Sequence, residues 1–147
     1  MAPPLDILFV TQTYPRFAGD FAGAFIEELA RGLARLGDRV TVLAPHAPGV
    51  AARWAAAGVE VTTFRYAPER AEVLGYGRSL AADVRVRGAA ALVAPLYAVA
   101  AGLALRRLLG QRRFDLVHAH WIVPNGLVAA AALPRRVPLA IGLHGSD

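Results

Sequence analysis

The sequence predicts an α/β fold: a doubly wound parallel sheet with helices on both faces. Three observations carry that expectation. Short runs rich in Val, Ile and Leu alternate with longer segments of helical period. The short runs are apolar almost throughout, and strands of that kind are buried on both faces, hence parallel and sandwiched by helices. All four histidines, His46, His118, His120 and His144, fall at the carboxyl ends of these runs, which is where open parallel sheets bind ligands.

The elements follow in order. "LDILFVTQT" (Leu5–Thr13) is the first strand with the polar loop behind it. From Phe21 to Leu36 the residues Ala22, Ile26, Leu29, Leu33 and Leu36 recur at helical spacing, with Glu27 and Arg31 paired on the opposite face. Asp20 is placed to cap this helix and Gly37 to stop it. "RVTVLAP" (Arg39–Pro45) is the second strand. "GVAARWAAAG" (Gly49–Gly58) predicts a short helix ending on glycine, and "VEVTTFRY" (Val59–Tyr66) a third strand. Residues Ala67–Arg87 are weakly periodic and predict an irregular excursion. Arg87–Gly110 predicts a long helix, kinked or restarted at Pro95. "FDLVHAH" (Phe114–His120) is the fourth strand, Pro124–Leu133 a helix with proline in its first turn, and "VPLAIGLH" (Val137–His144) the fifth strand. Five βα units joined by right-handed crossovers make a Rossmann-like sheet. Neither repeat nor linker breaks the series, so residues 1–147 predict one domain, long enough to bury roughly 68–70% of its unfolded surface.

Composition narrows the class. Hydrophobic residues make up 56% of the chain, which excludes a disordered polymer. With no cysteine, disulfide frameworks and thiolate metal sites are excluded. A reducing cytosol fits this usage, and Met1–Asp6 carries no positively charged leader. All sixteen basic residues are arginine and the net charge is +5. They cluster at Arg65–Arg87, at Arg106, Arg107, Arg112 and Arg113, and at Arg135 and Arg136. Such clusters are either a solvated surface or a face for anionic lipid or phosphorylated substrates. Nucleic acid is not predicted, because no aromatics interleave with the arginines as a stacking platform requires. "GAAALVAPLYAVAAGLAL" (Gly88–Leu105) is uncharged over about the minimum length for a bilayer span. It is mostly Ala and Gly and contains Pro95, so it reads as a buried or membrane-apposed helix.

The loops exclude several chemistries. A dinucleotide site needs G-x-G-x-x-G behind the first strand and an acid ending the second. Here the first loop is "TQTYPRFAGDFAG" and the second strand ends Ala44-Pro45-His46. A phosphate-binding Walker lysine is absent, since the chain has no lysine. Zinc at His118 and His120 lacks a third ligand at useful spacing, so no metal is predicted. A hydrolase built from Ser146, His144 and Asp147 lacks a nucleophile elbow. What remains is the loop Tyr14–Gly23, whose glycines before a helix N-terminus let backbone N–H groups approach a diphosphate.

Three stretches together resemble a known family. "YPRFAGDFAGAFIEELARGLARLGDRVTVLAP" (Tyr14–Pro45), "FDLVHAHWIVPNG" (Phe114–Gly126) and the final "LHGSD" (Leu143–Asp147) are similar to the amino-terminal domain of GT-B glycosyltransferases, family 4 above all. The resemblance implies retaining sugar transfer from a nucleotide-sugar donor to a glycan or lipid-linked acceptor. It implies that this domain binds acceptor and holds no cofactor, while a carboxyl-terminal domain, missing from the chain or carried on another, binds the donor. Without that half the fragment is expected to be inactive.

By the same resemblance His144 lies against the donor sugar at its reacting carbon. Gly19 and Gly23 match glycines of the donor-phosphate loop, with Asp20 where a second glycine often stands. His120, Trp121, Asn125 and Gly126 shape the acceptor pocket, and Ser146 and Asp147 belong to the same sugar-facing rim. The implied location is cytoplasmic, peripheral at the inner membrane face where the arginines meet anionic lipid. Other readings are a non-catalytic Rossmann-like binding module, one half of a split enzyme, or a fragment of a GT-B-like sugar-nucleotide epimerase.

Overall fold

A computed structural model describes residues 3–76 and 84–145. The strands are β1 (Asp6–Val10), β2 (Arg39–Pro45), β3 (Arg53–Ala56), β4 (Val59–Phe64), β5 (Leu116–His120) and β6 (Leu139–Gly142). The α-helices are α1 (Ala24–Arg35), α2 (Val84–Gln111) and α3 (Leu127–Ala132). The sheet order is β3-β4-β2-β1-β5-β6, and every pairing is parallel except β3 with β4. The order reverses at β1, which places a topological switch point between β1 and β5.

Side chains alternate across each strand, and the core divides accordingly. Ile7, Phe9, Val40, Val42, Val59 and Val61 face α1, closing on Ile26 and Ala30. Leu8, Val10, Leu43, Val117 and Ala119 face α2 and α3, closing on Tyr97, Ala101, Leu105 and Val128. Ion pairs tie the other end of the sheet: Arg39 pairs with Asp6, and Arg112 reaches both Asp6 and Glu60.

Two expectations are corrected. Gly49–Gly58 is not a helix; its second half is the antiparallel edge strand β3. Ala57 and Gly58 both have positive φ (52° and 80°), the geometry of a tight two-residue hairpin turn. Trp54 then sits opposite Val61 in the β3–β4 register and packs on the α1-side core. Cross-strand pairing of this tryptophan outweighs the helix preference of the surrounding alanines.

The cap of α1 also differs. Gly23, in the left-handed region (φ 72°), occupies the N-cap, with no side-chain cap. A Cβ there would stand 2.8 Å from the Thr13 carbonyl oxygen, so only glycine lets the helix start this close to the β1 loop. The long helix α2 runs continuously through Pro95, so it does not restart there. Arg78 and the terminal Ser146 and Asp147 lie outside the described residues.

Candidate active-site crevice

The loop after β1 is held by Asp20. Its carboxylate accepts from the Arg16 side chain (Nε, 2.6 Å) and from the backbone N–H groups of Arg16 and Ala22. These donors hold the carboxyl down to about 2, the Arg16 guanidinium contributing most. The Arg16 guanidinium lies 4.7 Å above the Tyr76 ring, and the Tyr76 hydroxyl donates to the Pro45 carbonyl at 2.5 Å. Asp20 is thus an internal brace whose charge Arg16 neutralises, not a bare carboxylate facing a phosphate. Gly19 (φ 88°) sits at the loop tip with open space about it.

Three of the four strand-end histidines assemble. His118 and His120, two apart on β5, share the α1 face and stack at 4.3 Å. His120 Nδ1 is 3.0 Å from His144 Nε2, and those rings lie edge to edge within 12° of parallel. Phe9 meets both β5 imidazoles edge-on. Phe25 and Trp121 close over His144, with centroids at 4.8 and 4.7 Å. Burial pushes His118 below its ordinary value and His120 down to about 3, because desolvation penalises the charged imidazole. Among the described residues no His, Asp and Glu group is arranged to hold a metal ion.

His46 does not join them. Its Nδ1 pairs with Glu72 Oε2 at 2.7 Å, and Arg65 approaches the other oxygen of that buried carboxylate.

The turn after β5 is nailed from below. Asn125 is fully buried; its Nδ2 donates to the His120 carbonyl and its Oδ1 accepts from the Tyr97 hydroxyl. Gly126 is buried too, with Ile141 and the Trp121 carbonyl in the place of a Cβ. His120 and Asn125 have no exposed surface and Gly126 is buried. They form the wall that carries Trp121 and His144. Trp121 itself has φ 67°, a conformation L-residues adopt only when surroundings impose it, and one that clusters at functional sites. Bonds from its N–H to the Gly142 carbonyl and from the Gly126 N–H to its own carbonyl impose it here.

Sequence reasoning missed Arg16, Tyr76 and Phe25. Phe25 carried a signal: a large aromatic beside Ile26, off the helical stripe that enters the core.

This geometry has a definable class. A Rossmann-like sheet whose switch point carries the loop after β1, the end of β5 and the tip of β6 in one crevice is the arrangement expected of one lobe of a GT-B glycosyltransferase, and the family match bears that class out. The chain belongs to Glycosyltransferase Family 4, which it matches over residues 22–147.

It is 27% identical over 162 residues to a Bacillus subtilis (strain 168) protein assigned to teichuronic acid biosynthesis as glycosyltransferase TuaC. That match takes in 97% of this chain and 37% of the relative, so the chain spans just over a third of the relative's length. Among solved structures, sucrose-phosphate synthase from Thermosynechococcus elongatus superposes with a TM-score of 0.55 at 12% identity, covering 86% of this chain and 29% of that one. A C-terminal hydrogenase domain from Pyrococcus furiosus superposes with a TM-score of 0.52 at 14% identity, covering 97% and 96%. These likenesses show the fold alone, and their unlike titles illustrate that function resides in the site and not the fold.

Proposed function

We propose that this chain is the acceptor-side lobe of a retaining glycosyltransferase, which moves a sugar from a nucleotide-sugar donor to a glycan or lipid-linked acceptor. The observation that carries the reading is the juxtaposition of His144, Trp121 and Phe25 beyond the carboxyl ends of β5 and β6. An apolar rim supports it: Phe17, Phe21, Val123 and Leu143 are exposed around the crevice, Phe21 to 90%. Aromatic faces of this kind pack on sugar rings or on the apolar part of a lipid carrier.

Retaining transfer passes through an oxocarbenium-like transition state while negative charge builds on the departing diphosphate. Fixed N–H donors and cations must meet that charge. The loop Tyr14–Gly23, with Gly19 and Gly23 free of side chains, offers backbone N–H groups on this side; the second lobe supplies the rest. His144 orients the sugar, and closure of the two lobes excludes water that would otherwise hydrolyse the donor.

The purified chain alone is therefore expected to turn over no nucleotide sugar, while oligosaccharide or lipid-linked acceptors shift the NMR signals of Trp121, His144 and Phe25. Turnover by the lone chain, or acceptor-induced shifts confined to other residues, overturns the reading. In the assembled enzyme the anomeric configuration of the product tests retention.

A membrane-apposed position for this lobe has its own support. Leu92, Leu96, Val99 and Leu103 form one stripe of α2, each more than half exposed, and Leu127 of α3 joins them. Arg106 borders the 420 Å³ groove between the two helices, and Arg107, next to it on α2, is exposed. Arg112 does not belong to this set, being engaged with Asp6 and Glu60. Basic residues at an anionic surface contribute about 1 kcal/mol each. Changing Arg106 and Arg107 to Ala is expected to weaken binding to phosphatidylglycerol vesicles on the order of 30-fold, measured by co-sedimentation. Unchanged binding removes the membrane role.

A further inference from the structure

Alternation along β5 sends Val117 and Ala119 under α2 and α3, and His118 and His120 to the α1 face against Phe9. His120 is the best-enclosed imidazole of the three, with no exposed surface. Its two nitrogens have unlike surroundings. Nδ1 meets His144 Nε2 at 3.0 Å, whereas Nε2 is buried without a partner. His118 stacks on the face of this ring while His144 lies at its edge, so Nδ1 stays directed at His144 Nε2. Gly142, opposite His120 in the β5–β6 register, makes the approach of His144 possible. A Cβ there would stand 3.0 Å from His118 Nε2 and 3.1 Å from His144 Nε2.

Burial keeps His120 neutral at ordinary pH, so it has one N–H to place. On Nε2 that proton would be a buried donor with no acceptor, the rarer and costlier kind of orphan. On Nδ1 it is donated to His144 Nε2, and only a lone pair goes unmet. His144 Nε2 then accepts, and the proton of neutral His144 stands on Nδ1.

We propose that His120 is a positioning residue for His144: through its Nδ1–H it locks His144 in the Nδ1–H tautomer and fixes the plane of that ring. The inference rests on the reading that His144 faces the transferred sugar, and it adds the direction of the hydrogen bond. His144 Nδ1 is then a donor, and the group whose chemistry fits it is an oxygen with a lone pair. An orienting partner behind a functional imidazole acts by selecting one tautomer, and its loss leaves the ring present but wrongly protonated.

The test is the tautomeric state of His144 in the 147-residue chain, read from imidazole ¹⁵N shifts and two-bond ¹⁵N–¹H couplings at pH 7. Expected are an unprotonated, pyridine-like Nε2 and a protonated Nδ1 on His144, with His120 also protonated on Nδ1. In His120→Phe the His144 Nε2 signal is expected to leave its original position, because the donor to that nitrogen is gone. In His120→Asn, whose side-chain N–H can stand where Nδ1–H stood, the original pattern is expected to return.

A protonated Nε2 on His144 in the unaltered chain overturns the proposal without recourse to any variant. So does an unchanged pattern in His120→Phe. Neither measurement needs a sugar or a second lobe, so its failure is distinct from failure of the acceptor-side reading.

Discussion

Lowering the pH from 7 to 5 is expected to cost this domain about 2 kcal/mol of stability through His120 alone. The sign follows from where the protons go. In the unfolded chain a histidine takes up a proton as pH falls below about 6.5; buried His120 does not until about 3. Between those values the unfolded state binds more protons, so stability is complete above 6.5 and is lost progressively down to 3. His118, lowered for the same reason, adds to the loss. The carboxylates of Asp6 and Asp20, held down by Arg39 and Arg16, contribute stability present above about 4 and lost only in stronger acid. Acid sensitivity therefore begins with the imidazoles. Urea midpoints at pH 7 and pH 5, at constant slope, measure it, and His120→Phe is expected to flatten the difference by about 1–2 kcal/mol. Equal midpoints for the unaltered chain at the two pH values would contradict the burial of His120 in solution.

Gly75→Ala is expected to be the most damaging small substitution outside the crevice, at about 2–4 kcal/mol. Gly75 has φ 88°, and a Cβ there would overlap the carbonyl oxygen of Gln12. Because the obstacle is backbone on the first strand's loop, it has no rotamer by which to yield. The segment cannot simply lift away, since the Tyr66 hydroxyl bonds both the N–H and the C=O of Leu74, and Tyr76 is tied to Pro45. Displacing it would also take Tyr76 from under Arg16 and loosen the brace at Asp20. Gly49→Ala separates strain from collision: Gly49 has φ 76° with nothing near its missing side chain, so only about 1–2 kcal/mol of backbone strain is expected. Thermal unfolding of the two variants side by side checks the ordering, and equal losses would remove the steric argument.

The parallel sheet was legible because its strands are buried on both faces, and continuous apolar runs leave few other solutions. "RVTVLAP" became β2 residue for residue. Gly49–Gly58 misled because alanine favours helix locally, while the decisive partner of Trp54 lies across a turn. The turn itself was readable in retrospect, as Ala57-Gly58 followed at once by a β-branched run.

At the crevice, strand ends told where histidines stand but not which way they face. Parity along β5 put His118 and His120 on one side; joining them to His144 needed the β5–β6 register, which no local pattern carries. His46 occupies an equivalent strand end and turns to Glu72, a residue from the weakly periodic excursion where sequence offered no pairing signal. Asp20 stands where a glycine was expected, and its counterion, Arg16, approaches by a loop fold invisible in spacing alone.

The sheet itself is a partition. Imidazoles and their aromatic lid occupy one side of β5, while the long helix with its apolar stripe and arginines occupies the other. Substitutions along the exposed stripe of α2 therefore touch none of the imidazoles, whereas Tyr97 on its buried face reaches the turn after β5 through Asn125.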